Sequence, residues 1–354
     1  MALERLKDMI FRLSEKINKQ INIMEVCGTH TVAIFRHGIR SIIPSNIRLL
    51  SGPGCPVCVT PVEDIDRMLF IAKKPEVILT TFGDMMRVPG SNGSLYRAKA
   101  EGADIRMVYS PLDALNIAEQ NREKKIVFFA VGFETTSPLI AATLYEADRR
   151  GVPNFFIYSV HKLVPPALEV LINTEDLKLD GFILPGHVST IIGSKVYEFI
   201  ASKYKKACVI TGFDADDILN AIAMLLMQII EKSPKIEIQY RDAVKPEGNP
   251  KAVEILYRYF EPCDSNWRGI GVIPNSGLRL KEEFLHRDAL RLFDTPEIKS
   301  VEPRGCQCGL VLRGIKNPPE CPLFAKKCTP ENPVGACMVS SEGSCAAYYK
   351  YGAS

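Results

Sequence analysis

The sequence predicts an α/β architecture, with two parallel-sheet domains whose strand-end loops form a cleft and a C-terminal cysteine-rich domain. Three observations predict it. Through the first 245 residues, short apolar runs alternate with glycine-rich or polar turns and then with helical patterns, the signature of βαβ units. The chemically capable residues cluster in the turns directly after those runs, where open parallel sheets place their ligands. Six of the eleven cysteines fall between Cys306 and Cys345, in a Pro- and Gly-rich segment with little apolar periodicity.

The chain opens on MALERLKDMIFRLSEKI, charged every few residues, which predicts an amphipathic surface helix and no secretory leader. The apolar runs that predict strands are Ile21–Val26, Ile47–Leu50, Val77–Thr81, Ile126–Val131, Asn154–Val160, Gly181–Leu184 and Ala207–Thr211. Seven strands over this length suit two α/β domains, residues 1–150 and 151–245, divided near Gly151. VFFAVGFETT and ACVITGFDAD echo each other across that division, each running from a strand into Gly-Phe-acid. The longest apolar stretch, Ile218 to Ile230, is interrupted by Asn220 and Gln228 and is too short to span a bilayer. KPEGNP ends the alternating region. Helices over Ala252–Phe260 and Lys281–Leu292 then flank a Gly-rich stretch, and the cysteine-rich segment completes a third domain, 246–354. That segment needs a staple, and its cysteines supply one.

Composition narrows the function. A net charge of +3 on 354 residues gives no reason to expect nucleic acid or an anionic membrane as partner. Eleven cysteines without a leader imply a reducing, cytoplasmic compartment and metal or redox chemistry rather than structural disulfides. Cys208, within KKACVIT, and the isolated Cys263 are expected to be core fillers.

The turns carry the candidates. Cys27-Gly28-Thr29-His30 follows the first run, and a thiolate beside an imidazole suits iron, copper or zinc, although such a turn can equally be structural. Gly52-Pro53-Gly54-Cys55-Pro56-Val57-Cys58 follows the second. Cys55 and Cys58 have dithiol spacing just before a helix start, where the positive helix end favours thiolates; redox or metal exchange stands against a half zinc site or a structural pair. Glu134, in Gly132-Phe133-Glu134-Thr135-Thr136, either hydrogen-bonds a ligand or satisfies backbone N–H groups. His161 and His187 each lie just beyond an apolar run, and His187, framed by Gly186 and Ser189, is the better functional candidate. No phosphate-cradling glycine motif occurs in these loops, so no nucleotide cofactor is indicated. The spacings of Cys306, Cys308, Cys321, Cys328, Cys337 and Cys345 are wide and irregular. Four thiolates of this set can hold a [4Fe–4S] cluster with two left over as a dithiol couple; zinc remains the alternative.

CGTH, GPGCPVC, GFETT, PGHVS and the tail GACMVSSEGSCAAYY, in this order from the first strand to the last residues, resemble the HypD family of [NiFe]-hydrogenase maturation proteins. The resemblance implies a scaffold that, with a small HypC-type chaperone, carries an Fe(CN)2CO unit during assembly, the cyanides arriving from a HypE/HypF carbamoyl-transfer pair. It implies Cys27 as iron ligand with His30 beside it, and Cys55 and Cys58 as a redox pair. It implies Cys306, Cys321, Cys328 and Cys345 as [4Fe–4S] ligands, Cys308 and Cys337 as a second thiol couple, and Glu342 as a functional polar residue of the same region. A general thiol–disulfide oxidoreductase coupled to such a cluster is the competing enzyme reading, and a zinc-stapled binding protein is the third.

Overall fold

The computed structural model describes residues 2–174 and 177–352. Two parallel sheets and one antiparallel hairpin organise it. The first sheet holds β1 (Ile21–Glu25), β2 (Ile47–Ser51), β7 (Gly181–Pro185), β8 (Ala207–Thr211) and β9 (Ile236–Ile238), in the order β2-β1-β7-β8-β9. The second holds β3 (Val77–Thr81), β4 (Ile105–Met107), β5 (Lys125–Ala130) and β6 (Phe155–Ser159), in the order β4-β3-β5-β6. All pairings within them are parallel. Every residue of β3, β7 and β8 is buried, as strands covered by helices on both faces require.

All seven expected strands are present. Their grouping is not consecutive: the chain leaves the first sheet after β2, builds the whole second sheet, and returns to pair β7 with β1. A division near Gly151 therefore falls inside the second sheet, between the helix Ser137–Arg149 and β6. Apolar runs announce burial but not partners, so the excursion leaves no mark in them.

The N-terminal helix Ala2–Ser14 lies against the helix Ala215–Ile230. After the helix Pro250–Tyr259, the stretch read as Gly-rich is a hairpin of β10 (Phe260–Trp267) and β11 (Gly271–Leu280). Pro262 and Pro274 disguise these strands, because proline inside a run argues against a ladder. The helix expected over Lys281–Leu292 is a 3₁₀ turn, Glu282–Arg287, followed by a short helix, Ala289–Leu292.

The cysteine-rich tail builds onto the carboxyl edge of the first sheet. Its last helix, Ser344–Tyr351, packs on the helix Gly28–Arg36, with the Phe35 and Tyr348 rings 4.9 Å apart. Cys308, Cys328, Cys337 and Cys345 share one core with Met24, Phe182, Cys55 and Cys58. Close backbone approach at two glycines makes this possible. A Cβ at Gly54 would stand 2.3 Å from the Cys27 nitrogen, and one at Gly28 2.5 Å from the Glu342 Cβ. Gly54→Ala must push the two loops apart, so it should lower stability by about 1–3 kcal/mol in urea unfolding.

Candidate functional site

Four loops at the carboxyl edge of the first sheet meet the tail. Cys27 lies two residues beyond β1 and is the N-cap of the helix Gly28–Arg36. Its peptide N–H donates to Glu25 Oε2 at 3.2 Å, and Thr31 Oγ1 donates to Glu25 Oε1 at 2.5 Å. Glu25 is buried, and burial lifts its carboxyl to about 7. Burial also pushes the Cys27 thiol up to about 12, against hydrogen bonds from the His30 and Thr29 backbone N–H groups that favour its anion.

Cys55 and Cys58 bring their Sγ atoms to 2.7 Å, and the Cys58 N–H donates to Cys55 Sγ at 3.3 Å. The turn between them is a four-residue helix, Pro56–Val59. A helix so short offers little dipole, and the thiolate expected at Cys58 does not follow. Burial outweighs it and raises the Cys58 thiol well above its ordinary value.

His30 is fully buried. Its Nε2–H donates to the Gly212 carbonyl at 2.9 Å, which leaves Nδ1 with the lone pair and without a partner. Burial lowers its pKa to about 4, so the ring is neutral. Phe213 lies between His30 and His187, with ring centroids 4.8 and 4.0 Å away. His187 is exposed, and desolvation lowers its pKa while the Glu342 charge opposes. Glu342 comes in from the tail, where its Oε1 accepts from Thr29 Oγ1 at 2.8 Å. A cavity of about 820 Å³, lined by Thr29, Val32, Arg87, Met338, Glu342 and Tyr349 among others, opens beside it.

Beneath these loops the thiols touch in series. Cys337 contacts Cys58, Cys308 and Cys345, and Cys308 also contacts Cys306. All six tail cysteines line one small void of about 10 Å³, together with Leu323, Phe324 and Met338. The Val334 N–H donates to Cys328 Sγ at 3.3 Å, and Gly335 has no Cβ to meet Cys306 Sγ, which would lie at 2.6 Å. Among the described residues no three His, Cys, Asp or Glu side chains converge on a single-ion site. The donor chemistry, soft thiols among apolar side chains with a backbone N–H donated to one sulfur, fits an iron–sulfur cluster.

Two sequence candidates lie elsewhere. Glu134 is buried under the helix Val164–Ile172, where Oε1 accepts from the Val164 N–H at 2.9 Å and Oε2 has no partner. His161 lines a different cavity, at the edge of the second sheet. Of the expected core fillers, Cys208 is fully buried, whereas Cys263 is half-buried and lines that second cavity. Sequence reasoning missed Glu25 and Phe213. Their signals were an acid inside the apolar run Ile21–Val26 and the second Gly-Phe-acid turn.

A family model described as the hydrogenase formation hypA family, HypD, matches residues 2–352. The chain belongs to the HypD family. It is 49% identical to a putative hydrogenase expression/formation protein of Methanocaldococcus jannaschii, over 97% of this chain and 95% of that protein. It is 47% identical to the hydrogenase maturation factor HypD of Azotobacter vinelandii, over 94% of this chain and 90% of that protein. With the HypD of Escherichia coli (strain K12) the identity is 46%, over 99% and 94%. No helix among the described residues is long and apolar enough to cross a membrane.

Burial raises the Glu134 carboxyl from 4.5 to about 7. The folded state therefore holds this proton more tightly than the unfolded chain. The stability it contributes is present below pH 4.5 and is lost as the pH rises through about 7, by roughly 3 kcal/mol at most. Glu134→Gln cannot ionise. Its stability relative to the parent should rise between pH 5 and pH 8 in urea unfolding; a difference independent of pH would contradict the buried carboxylate.

Proposed function

We propose that the chain is the scaffold and redox component of [NiFe]-hydrogenase maturation, carrying an Fe(CN)2CO unit on Cys27 while a HypC-type chaperone is bound and a HypE-type donor supplies cyanide. The observation that carries the reading is the contact between Cys58 and Cys337, which makes the N-terminal and C-terminal cysteines one site. Family membership supports the hydrogenase part of it.

Cys27 is protonated at neutral pH, because its buried thiol titrates near 12. Binding iron displaces that proton, and the Thr29 and His30 N–H groups then face the thiolate. His30 offers a neutral Nδ1, its other nitrogen being committed to Gly212. Glu342 and His187 stand at the mouth, and the Glu342 charge reaches both Cys27 and His187. The wide cavity beside Thr29 and Glu342 gives a partner protein access to this mouth.

Cys55 and Cys58 are close enough to close a disulfide, releasing two electrons and two protons. Cys337, touching both Cys58 and Cys308, lets thiol–disulfide exchange continue towards the cavity. Cys306, Cys321, Cys328 and Cys345 would hold a [4Fe–4S] cluster there. When bound, such a cluster supplies single electrons. A general thiol–disulfide oxidoreductase would explain the Cys55–Cys58 spacing, but it gives no role to the Cys27–His30 turn or Glu342.

Anaerobically prepared protein should be brown, with about four iron and four sulfide per chain. Colourless protein with one tightly held zinc would refute the cluster. With its small chaperone bound, the protein should show cyanide and CO infrared bands. Cys27→Ser should lose them while keeping the colour, since a hydroxyl stays protonated and ligates weakly. Full bands in Cys27→Ser would place the anchor on another residue.

A further inference from the structure

The turn of the β10–β11 hairpin touches both sets of cysteine loops, and Arg268 is its first residue. Trp267 anchors the turn. Its Nε1–H donates to Ser276 Oγ at 2.8 Å, and its ring stacks on Phe133 with centroids 6.0 Å apart. The Arg268 peptide N–H donates at 2.9 Å to the carbonyl of Val59, the residue after Cys58. Gly269 then crosses Gly309, the residue after Cys308, so closely that a Cβ would stand 2.1 Å from the Gly309 Cα. The turn is pinned to the dithiol loop on one side and to the tail on the other.

Arg268 is 3% exposed, a rare state for a charged side chain. Among the described residues its ion-pair partner is Glu302, whose Oε1 lies 3.2 Å from Nε and whose side chain is 58% exposed. Nε and Nη2 are both buried, and neither has a hydrogen-bond partner. A solvated carboxylate offsets only part of such a charge and leaves the buried donors open. The Cys306 thiol is pushed up by its contact with Cys308 and by burial, and the Arg268 charge works in the opposite direction.

We infer that Arg268 is a positioning residue for electron uptake in the tail: its buried guanidinium sets positive charge within reach of Cys306 and stabilises the negative charge gained when a cluster held there is reduced. The inference rests on the cluster reading above. A cluster bound through four thiolates is already anionic. Taking one electron from an external donor adds a further negative charge, with no proton to offset it. A fixed cation in a water-poor core lowers that cost, since charge, hydrogen bonds to sulfur and solvent exposure set the potential of such centres. Glu302 acts in the opposite sense and, being solvated, more weakly.

A redox titration of the anaerobically prepared full chain tests it, with a europium(II) chelate as the strongest reductant and electron paramagnetic resonance as the readout. Arg268→Met should lower the midpoint potential by about 59 mV, a tenfold shift in a one-electron equilibrium. Arg268→Lys, which keeps the charge, should restore most of that shift. Glu302→Gln should move the potential the other way and by less, a sign that lost packing would not produce. Brown Arg268→Met protein with the parent potential would overturn the inference and leave the cluster reading standing. Should Arg268→Met lose its cluster or its fold, an unchanged or lowered potential in Glu302→Gln would overturn it instead. Colourless parent protein would overturn both.

Discussion

The packing of the cysteine-rich tail against the carboxyl edge of the first sheet is the constraint on which the site depends. Cys58 and Cys337 come from opposite ends of the chain and meet inside one apolar core. The same packing delivers Glu342 to Thr29 and sets the last helix on the helix that begins beside Cys27. It is bought with glycine: Gly28 and Gly54 let backbones pass where a methyl group would collide. Remove the tail, and Cys27 keeps Glu25 but loses Glu342, while Cys58 loses its onward contact.

Burial then decides the chemistry. In an exposed turn a cysteine before a helix is inclined to ionise. Here desolvation wins, and Cys27, at the start of a nine-residue helix, and Cys58, inside a four-residue one, both rest as thiols. Such thiols stay quiet until a cation or an exchanging disulfide removes the proton, which suits a protein that must hold reactive sulfur without squandering it. The neutral His30, pinned through Gly212, follows the same logic.

Much of the first sheet was legible because fully buried parallel strands read as uninterrupted apolar runs, and because Cys27, Cys55, Cys58 and His187 sit directly after them. The edge strands β4 and β9 were not, since three residues each give no period. Nor was the return of β7 to β1, a pairing across some 160 residues that no local pattern encodes. Glu134 resembled a site residue by its place after a strand. In the structure one of its carboxylate oxygens accepts from the Val164 N–H, the backbone alternative that the sequence left open. Arg268 gave no signal, because an arginine before a glycine reads as solvated surface until the tail packs on its turn.

The claim that the two sets of cysteines form one path is tested most directly by disulfide trapping. In a Cys55→Ser, Cys308→Ser protein, Cys58 and Cys337 each lose a competing thiol while their own contact remains. Mild oxidation followed by non-reducing peptide mass spectrometry should then recover a Cys58–Cys337 crosslink in high yield. Recovery of both residues as freely alkylated thiols, or of Cys58 joined to any other cysteine, would contradict a continuous thiol path.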